Sequence, residues 1–268
     1  MTGAVSLQVG TQLVGFIFVI YATAFTAFHW LEAKTERNMS GYVTVRILGD
    51  RLGVIMTAIA GGLASSTVTT LAFARLGRDH PSSSRLLSAG ILIADAVMMI
   101  RVGFVVGALN SALLSPLVPP LAVGVAIFVL GSAILLFHNA DRENPELRIK
   151  NPLTLGTALK LACFIAGVML ASELLRLMFG NVGVLIVAAL SGVADVDAVT
   201  ISMARMGGKD IDLTTTVKGI LIAVAVNTIS KVMLAGWAGG NKIGALVGRV
   251  SALALAFGTF AALWWVPA

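Results

Sequence analysis

Asp195 and Asp197 stand inside an apolar run. At that depth a carboxylate costs about 2.5–3.5 kcal/mol on insertion scales, so it needs a cation, a proton or a base beside it. On a regular helix, residues two apart point to different faces. One ion can be shared only if the helix bends, and Gly192 makes a bend cheap. Two chemistries fit. One is a hard-cation or proton site in which Asp195 and Asp197 are the metal ligands and neighbouring hydroxyls complete the shell. The other pairs one acid with a buried base and leaves the second facing a polar cavity.

The hydroxyls occur at the matching place of a repeated block. Gly62-Leu-Ala-Ser-Ser-Thr-Val-Thr-Thr-Leu-Ala-Phe-Ala-Arg75 and Gly192-Val-Ala-Asp-Val-Asp-Ala-Val-Thr-Ile-Ser-Met-Ala-Arg205 share five of fourteen positions at a shift of 130 residues. Gly90-Ile-Leu-Ile-Ala94 recurs as Gly219-Ile-Leu-Ile-Ala223. Ser65 and Thr67 therefore correspond to Asp195 and Asp197. Ser65, Ser66 and Thr67, with Thr69 and Thr70, offer neutral oxygens to an ion or hydrogen bonds between helices. Gly61, Gly62 and Gly192 are the expected hinges. Asn227 is either a further ligand or a clasp between helices. Asp95, Arg101 and Lys231 complete an intramembrane charge network, in which the two bases either balance acids or receive an anion. No H-E-x-x-H, phosphate loop or nucleophile elbow occurs, and no enzyme activity is expected.

These residues need apolar helices to carry them. The chain is 57% hydrophobic and 12% charged, with mean hydropathy +0.94, where soluble chains carry about 25% charge. Apolar runs long enough for a bilayer recur throughout. The expected fold is all-α and polytopic, with eight membrane helices near 8–31, 53–74, 86–108, 113–137, 154–178, 182–204, 213–236 and 243–265. The first span reads as a retained helix, since no basic region precedes it. Residues 1–138 and 153–268 form two four-helix repeats joined by a cytoplasmic linker, 139–152. An even number of spans per half predicts parallel repeats, and loop charge predicts both termini in the cytoplasm. The basic stretch 31–51 then falls on the outer side, against that rule. The pI near 9.9 reflects loop bases, so no nucleic-acid partner is expected. The single cysteine, Cys163, excludes an internal disulfide.

The two repeat blocks, with Asn110-Ser-Ala-Leu-Leu114, Asn151-Pro-Leu-Thr-Leu-Gly-Thr-Ala-Leu-Lys160 and Ala189-Leu-Ser-Gly-Val-Ala-Asp-Val-Asp-Ala198, resemble the uncharacterised transmembrane domain that accompanies MgtC/SapB-type membrane proteins. The resemblance runs from about Gly41 onward, without the MgtC-like part. It implies a bacterial inner-membrane protein linked by name to magnesium physiology. The expected function is an ion transporter or channel, first for a divalent cation such as magnesium, with a mid-membrane site between the repeats. Magnesium takes few carboxylates and keeps its waters, which suits a sparse site. The alternatives are a regulatory or structural membrane module and, third, a small-anion transporter. No cofactor is expected beyond a bound divalent cation. The expected partners are the bilayer, an inorganic cation, a second copy of the chain and an MgtC-like protein.

Overall fold

A computed structural model describes residues 42–137 and 185–266, apart from 187, 194 and 210. The expected spans 8–31 and 154–178 and the linker 139–152 lie outside the described residues. Backbone contacts divide the chain into Met1–Leu52, described only from Tyr42 and there helical, and Gly53–Ala268. The described chain is all-helical: α1 (Tyr42–Asp79), α2 (Ser84–Leu109), α3 (Leu114–Phe137), α4 (Val196–Met206), α5 (Leu213–Gly239) and α6 (Asn241–Trp265). Residues 185–186 and 188–193 are helical as well. Among the described residues five segments, Arg51–Asp79, Pro81–Leu109, Ser111–Phe137, Leu213–Gly239 and Asn241–Trp265, are long and apolar enough to cross a membrane. Helices suit that setting because each satisfies its own backbone hydrogen bonds.

The helix ends follow local chemistry. Pro81 opens a short 3-10 turn, and the Ser84 hydroxyl donates to the Pro81 carbonyl at 2.7 Å to start α2. Asp212 caps α5 by accepting from the Thr215 amide at 2.7 Å, and hydrogen bonding from the Thr215 side chain and then its amide holds the carboxyl below the usual range. Between α5 and α6, Gly240 takes φ +82, a left-handed conformation that glycine adopts without cost.

Helix α1 is not one rod. Ser65 is extended (φ −163, ψ 104), and the chain folds back there. A Cβ on Gly61 would lie 2.3 Å from the Thr69 hydroxyl, and one on Gly90 would meet both Phe73 (2.7 Å) and Val54 (2.9 Å). A straight helix would hold Val54 and Phe73 about 28 Å apart. Residues 53–64 and 66–79 are thus the two arms of a helical hairpin. The expected sixth span repeats the pattern. Asp195 is extended (φ −156, ψ 123), and Gly219 lies against both Met203 and Ala188, one from each side of the break. Neither span is a simple crossing, and the breaks fall three residues beyond the expected hinges Gly62 and Gly192.

Small residues set the direction of each helix. Gly103, Gly107 and Gly124 seat α2 antiparallel on α3, through Leu121, Leu114 and Met99. Gly131 on Val250 and Gly258 on the Pro120 carbonyl run α3 antiparallel to α6, and Gly236 against Gly244 runs α5 antiparallel to α6. Hence α2 and α5, the carriers of the repeated Gly-Ile-Leu-Ile-Ala block, run in opposite directions. Other contacts agree. Lys242 donates to the Pro81 carbonyl, and Asn110 donates to the carbonyls of Ala204 (3.3 Å) and Gly207 (3.0 Å). One end of the bundle, here the proximal end, therefore carries residues 80–83 and 240. The distal end carries 110–113 and 207–212. This overturns the parallel orientation expected from the even count. A helical hairpin returns to the end it came from, so each block contributes no crossing.

A labelling experiment tests this arrangement. With Cys163 replaced by serine, cysteines at the exposed Ser82 and Asn241 should react with a membrane-impermeant reagent from one side, and cysteines at Ser111 and Lys209 from the other. Labelling of Ser82 and Lys209 from the same side would contradict it.

Candidate functional site at the hairpin tips

Each break takes carbonyls of the first arm and amides of the return arm out of the helical ladder, so they need partners from elsewhere. At the first tip the Val68 amide donates to the Ser65 hydroxyl at 3.4 Å, while Thr69 and Thr70 donate to the carbonyls of Ser65 and Ser66, both at 2.9 Å. At the second tip the Asp195 carboxylate accepts from the Asp197 amide at 3.0 Å, and Thr200 donates to the Val196 carbonyl at 2.8 Å. The Thr70 and Thr200 bonds stand at matching positions.

The glycines before each break seat the tip. A Cβ on Gly62 would lie 3.0 Å from the Ala94 Cα, and one on Gly192 would lie 2.6 Å from the Ala223 carbonyl oxygen. The repeated Gly-Ile-Leu-Ile-Ala block is thus a two-point seat. Its first residue takes the arms and its last takes the tip. The expected hinge residues Gly62 and Gly192 serve close approach on helical backbone, while Gly61 lies against Thr69 across the fold.

Arg101, from α2, joins the two tips. Its Nε donates to Asp197 Oδ1 at 3.1 Å and its Nη2 to Asp197 Oδ2. Its Nη1 donates to the carbonyls of Gly62, at 3.3 Å, and Leu63. One guanidinium thus caps the carbonyl end of the first hairpin's leading arm and grips the carboxylate on the second hairpin's return arm. Cations belong at helix carbonyl ends and acids at amide ends, so both contacts follow the helix dipoles. The Arg101 and Asp197 side chains are 18% and 25% exposed. Asp195 is half-buried beside them.

A second pair lies deeper. Lys231 Nζ donates to Asp95 Oδ1 at 2.7 Å, and both side chains are 1% exposed. One turn before Lys231, the Asn227 amide nitrogen donates to the Gly192 carbonyl at 2.8 Å. Asn227 therefore clamps the second tip, as Arg101 clamps the first.

The structure brings Asp197, Arg101, Gly62 and Leu63 into direct contact, with Ser65 and Asp195 at the two turns. It places Asp95, Lys231 and Asn227 in a separate layer. Among the described residues no three His, Cys, Asp or Glu side chains gather as metal ligands. Arg101 takes up both oxygens of Asp197, so an ion at the tips competes with it. Asn110, which ties α2 to the end of α4, had no expected role. Its signals in the sequence were its place at a helix boundary and its position at the head of one of the motifs that carry the resemblance.

The family described as Domain of unknown function (DUF4010) matches residues 37–239. An uncharacterized protein of Aquifex aeolicus (strain VF5) is 32% identical over 182 residues, covering 66% of this chain and 79% of the relative. No solved structure matches.

Proposed function

The chain belongs to the Domain of unknown function (DUF4010) family, and we propose that it is an ion transporter or channel of the bacterial inner membrane. The observation that carries this reading is the meeting of two helix breaks at one guanidinium, within bilayer-length helices. Broken membrane helices present bare amides and carbonyls at mid-depth, and transporters use such ends to hold ions between repeats. Matching contacts at Gly62 and Gly192 and at Gly90 and Gly219 support two repeats in inverted orientation, each a hairpin plus crossing helices.

The tips hold two carboxylates and one guanidinium, an excess of one negative charge. That balance favours a cation, and magnesium, keeping its waters, remains the first choice. Asp195 and Asp197 would be its acid ligands and Ser65, Ser66 and Thr67 its neutral oxygens. The proximal end carries Arg75, Arg78, Arg85 and Lys242, and the sequence after Phe137 adds Arg142, Arg148 and Lys150, against Arg205, Lys209 and Lys218 toward the distal end. These bases support a cytoplasmic proximal end. Helix α6 would then finish on the outer side, the reverse of the cytoplasmic terminus expected from the sequence. The partnership with an MgtC-like protein is supported by the motif resemblance alone.

A regulatory or structural module is the second reading, favoured by the pairing of both intramembrane bases with acids. The same pairing weighs against an anion carrier. Magnesium flux into proteoliposomes separates the readings. Asp195→Asn keeps a capping side chain and leaves the Arg101–Asp197 pair in place, so the melting temperature should hold while flux is lost. Unchanged flux in the folded variant would remove Asp195 from the site, and no flux in the parent protein would favour the module.

A further inference from the structure

The Asp95 layer has unspent bonding capacity. Asp95 Oδ2 and Asn227 Oδ1 are both buried without a hydrogen-bond partner, and both are acceptors only. Nearby donors are committed elsewhere. The Asn227 amide nitrogen goes to Gly192, which also fixes which end of the amide is free, and the Thr228 hydroxyl goes to the Val224 carbonyl at 2.9 Å. Lys231 reaches only the other oxygen of Asp95. Buried polar atoms are satisfied in nearly all native structures, so one such oxygen on the buried ion pair and another, one turn along α5 from Lys231, call for explanation.

We propose that Asp95 and Asn227 form a buried site for one monovalent inorganic cation, which exchanges with the ammonium proton of Lys231. The two free oxygens are the ligand atoms. Neither Asp95 nor Lys231 holds a charge in this sealed layer without a counter-charge. A cation that arrives at Asp95 therefore replaces the ammonium. One N–H bond of Lys231 breaks, its electron pair stays on nitrogen and the proton leaves to water. The cation takes over the carboxylate, and the net charge of the layer stays constant. Other charges facing this layer from the packed elements are few among the described residues. Arg101 and Asp197 are paired with each other, Asp195 stands half-buried at the second tip, Arg249 on α6 is exposed, and α3 and residues 53–74 of α1 carry none.

Asn227 adds a mechanical link. Its oxygen belongs to the site and its nitrogen holds the Gly192 carbonyl at the second tip. A cation that draws the amide oxygen also pulls on that clamp. Occupancy of the deep layer is thereby connected to the position of the hairpin that carries Asp195 and Asp197. This link rests on the transport reading. The exchange site itself does not.

The test measures proton release from the whole purified protein in lightly buffered detergent with a pH indicator. Lithium, sodium and potassium chloride are added in turn, with choline chloride as the control. At least one of the three metal cations should release about one proton per chain, the stoichiometry of the exchange, and choline should release none. The double variant Asp95→Asn/Lys231→Gln removes both charges together and should release none. Asn227→Ala keeps the ion pair and should need at least tenfold more salt for half-release. No release from the parent protein with any of the three salts would overturn the proposal. So would undiminished release from the double variant or an unshifted Asn227→Ala curve, the latter deciding the matter should the double variant fail to fold. Release that persists in a protein without magnesium flux would sink the transport reading and leave the exchange site standing.

Discussion

Lys231→Met should be the most destabilising single change among the buried polar groups. It strands the Asp95 carboxylate at 1% exposure, and breaking a buried pair by removing one partner costs about 3–5 kcal/mol. The companion variant Lys231→Met/Asp95→Leu removes both charges and should recover most of that loss, since an apolar pair of similar volume is often as stable as the ions it replaces. Chemical unfolding in mixed micelles reads both. Equal losses in the single and double variants would mean that packing volume, and not the orphaned charge, dominates.

Gly192→Ala should be the second. Its new Cβ would meet the Ala223 carbonyl oxygen at 2.6 Å and the Ala223 Cα at 2.9 Å, both backbone atoms that cannot turn aside. Overpacking of this kind costs about 1–3 kcal/mol, more than the roughly 1 kcal/mol that alanine gains over glycine in a helix. Gly62→Ala meets the Ala94 Cα at 3.0 Å and should cost less. Gly53→Ala meets nothing within 4 Å and should stabilise by about 0.4–1 kcal/mol. Melting temperatures in the order Gly53→Ala, parent, Gly62→Ala, Gly192→Ala are expected. A neutral Gly192→Ala would refute the close seating of the second tip.

Helical class and membrane character were legible because each rests on composition. The two matching blocks were legible too, at a shift of 130 residues. What the sequence hid was direction. A hairpin that enters and leaves by one end has the same apolar length as a crossing, so residues 53–74 and 182–204 read as spans and the parity came out wrong. The basic stretch 31–51 conflicted with the charge rule in the parallel arrangement. The extended residues were hidden for a different reason. Ser65 and Asp195 break their helices with an ordinary conformation open to any residue, while the nearby glycines, which composition singles out, are helical and serve contact. Pairings also escaped. Arg101 lies nearer in sequence to Asp95 than to Asp197, yet the antiparallel course of α2 and α5 gives Asp95 to Lys231 and leaves Arg101 for the hairpin tip.

Helix α4 is fastened to α2 at both ends, by Arg101 to Asp197 at its start and by Asn110 to Ala204 and Gly207 at its finish. The return arm of the first hairpin has the reciprocal neighbour, with Gly239 of α5 packed on the Ala74 backbone. Each hairpin is thus seated on its own half, by Gly90 and Ala94 or by Gly219 and Ala223, and tied to the other. To rock the halves as two rigid bodies would break those ties and both ion pairs in one step. To lift the first tip breaks the Arg101 bridge and the seat beneath it, and to lift the second breaks the Asn227 clamp as well. In either case the bolt between the two tips is a single arginine.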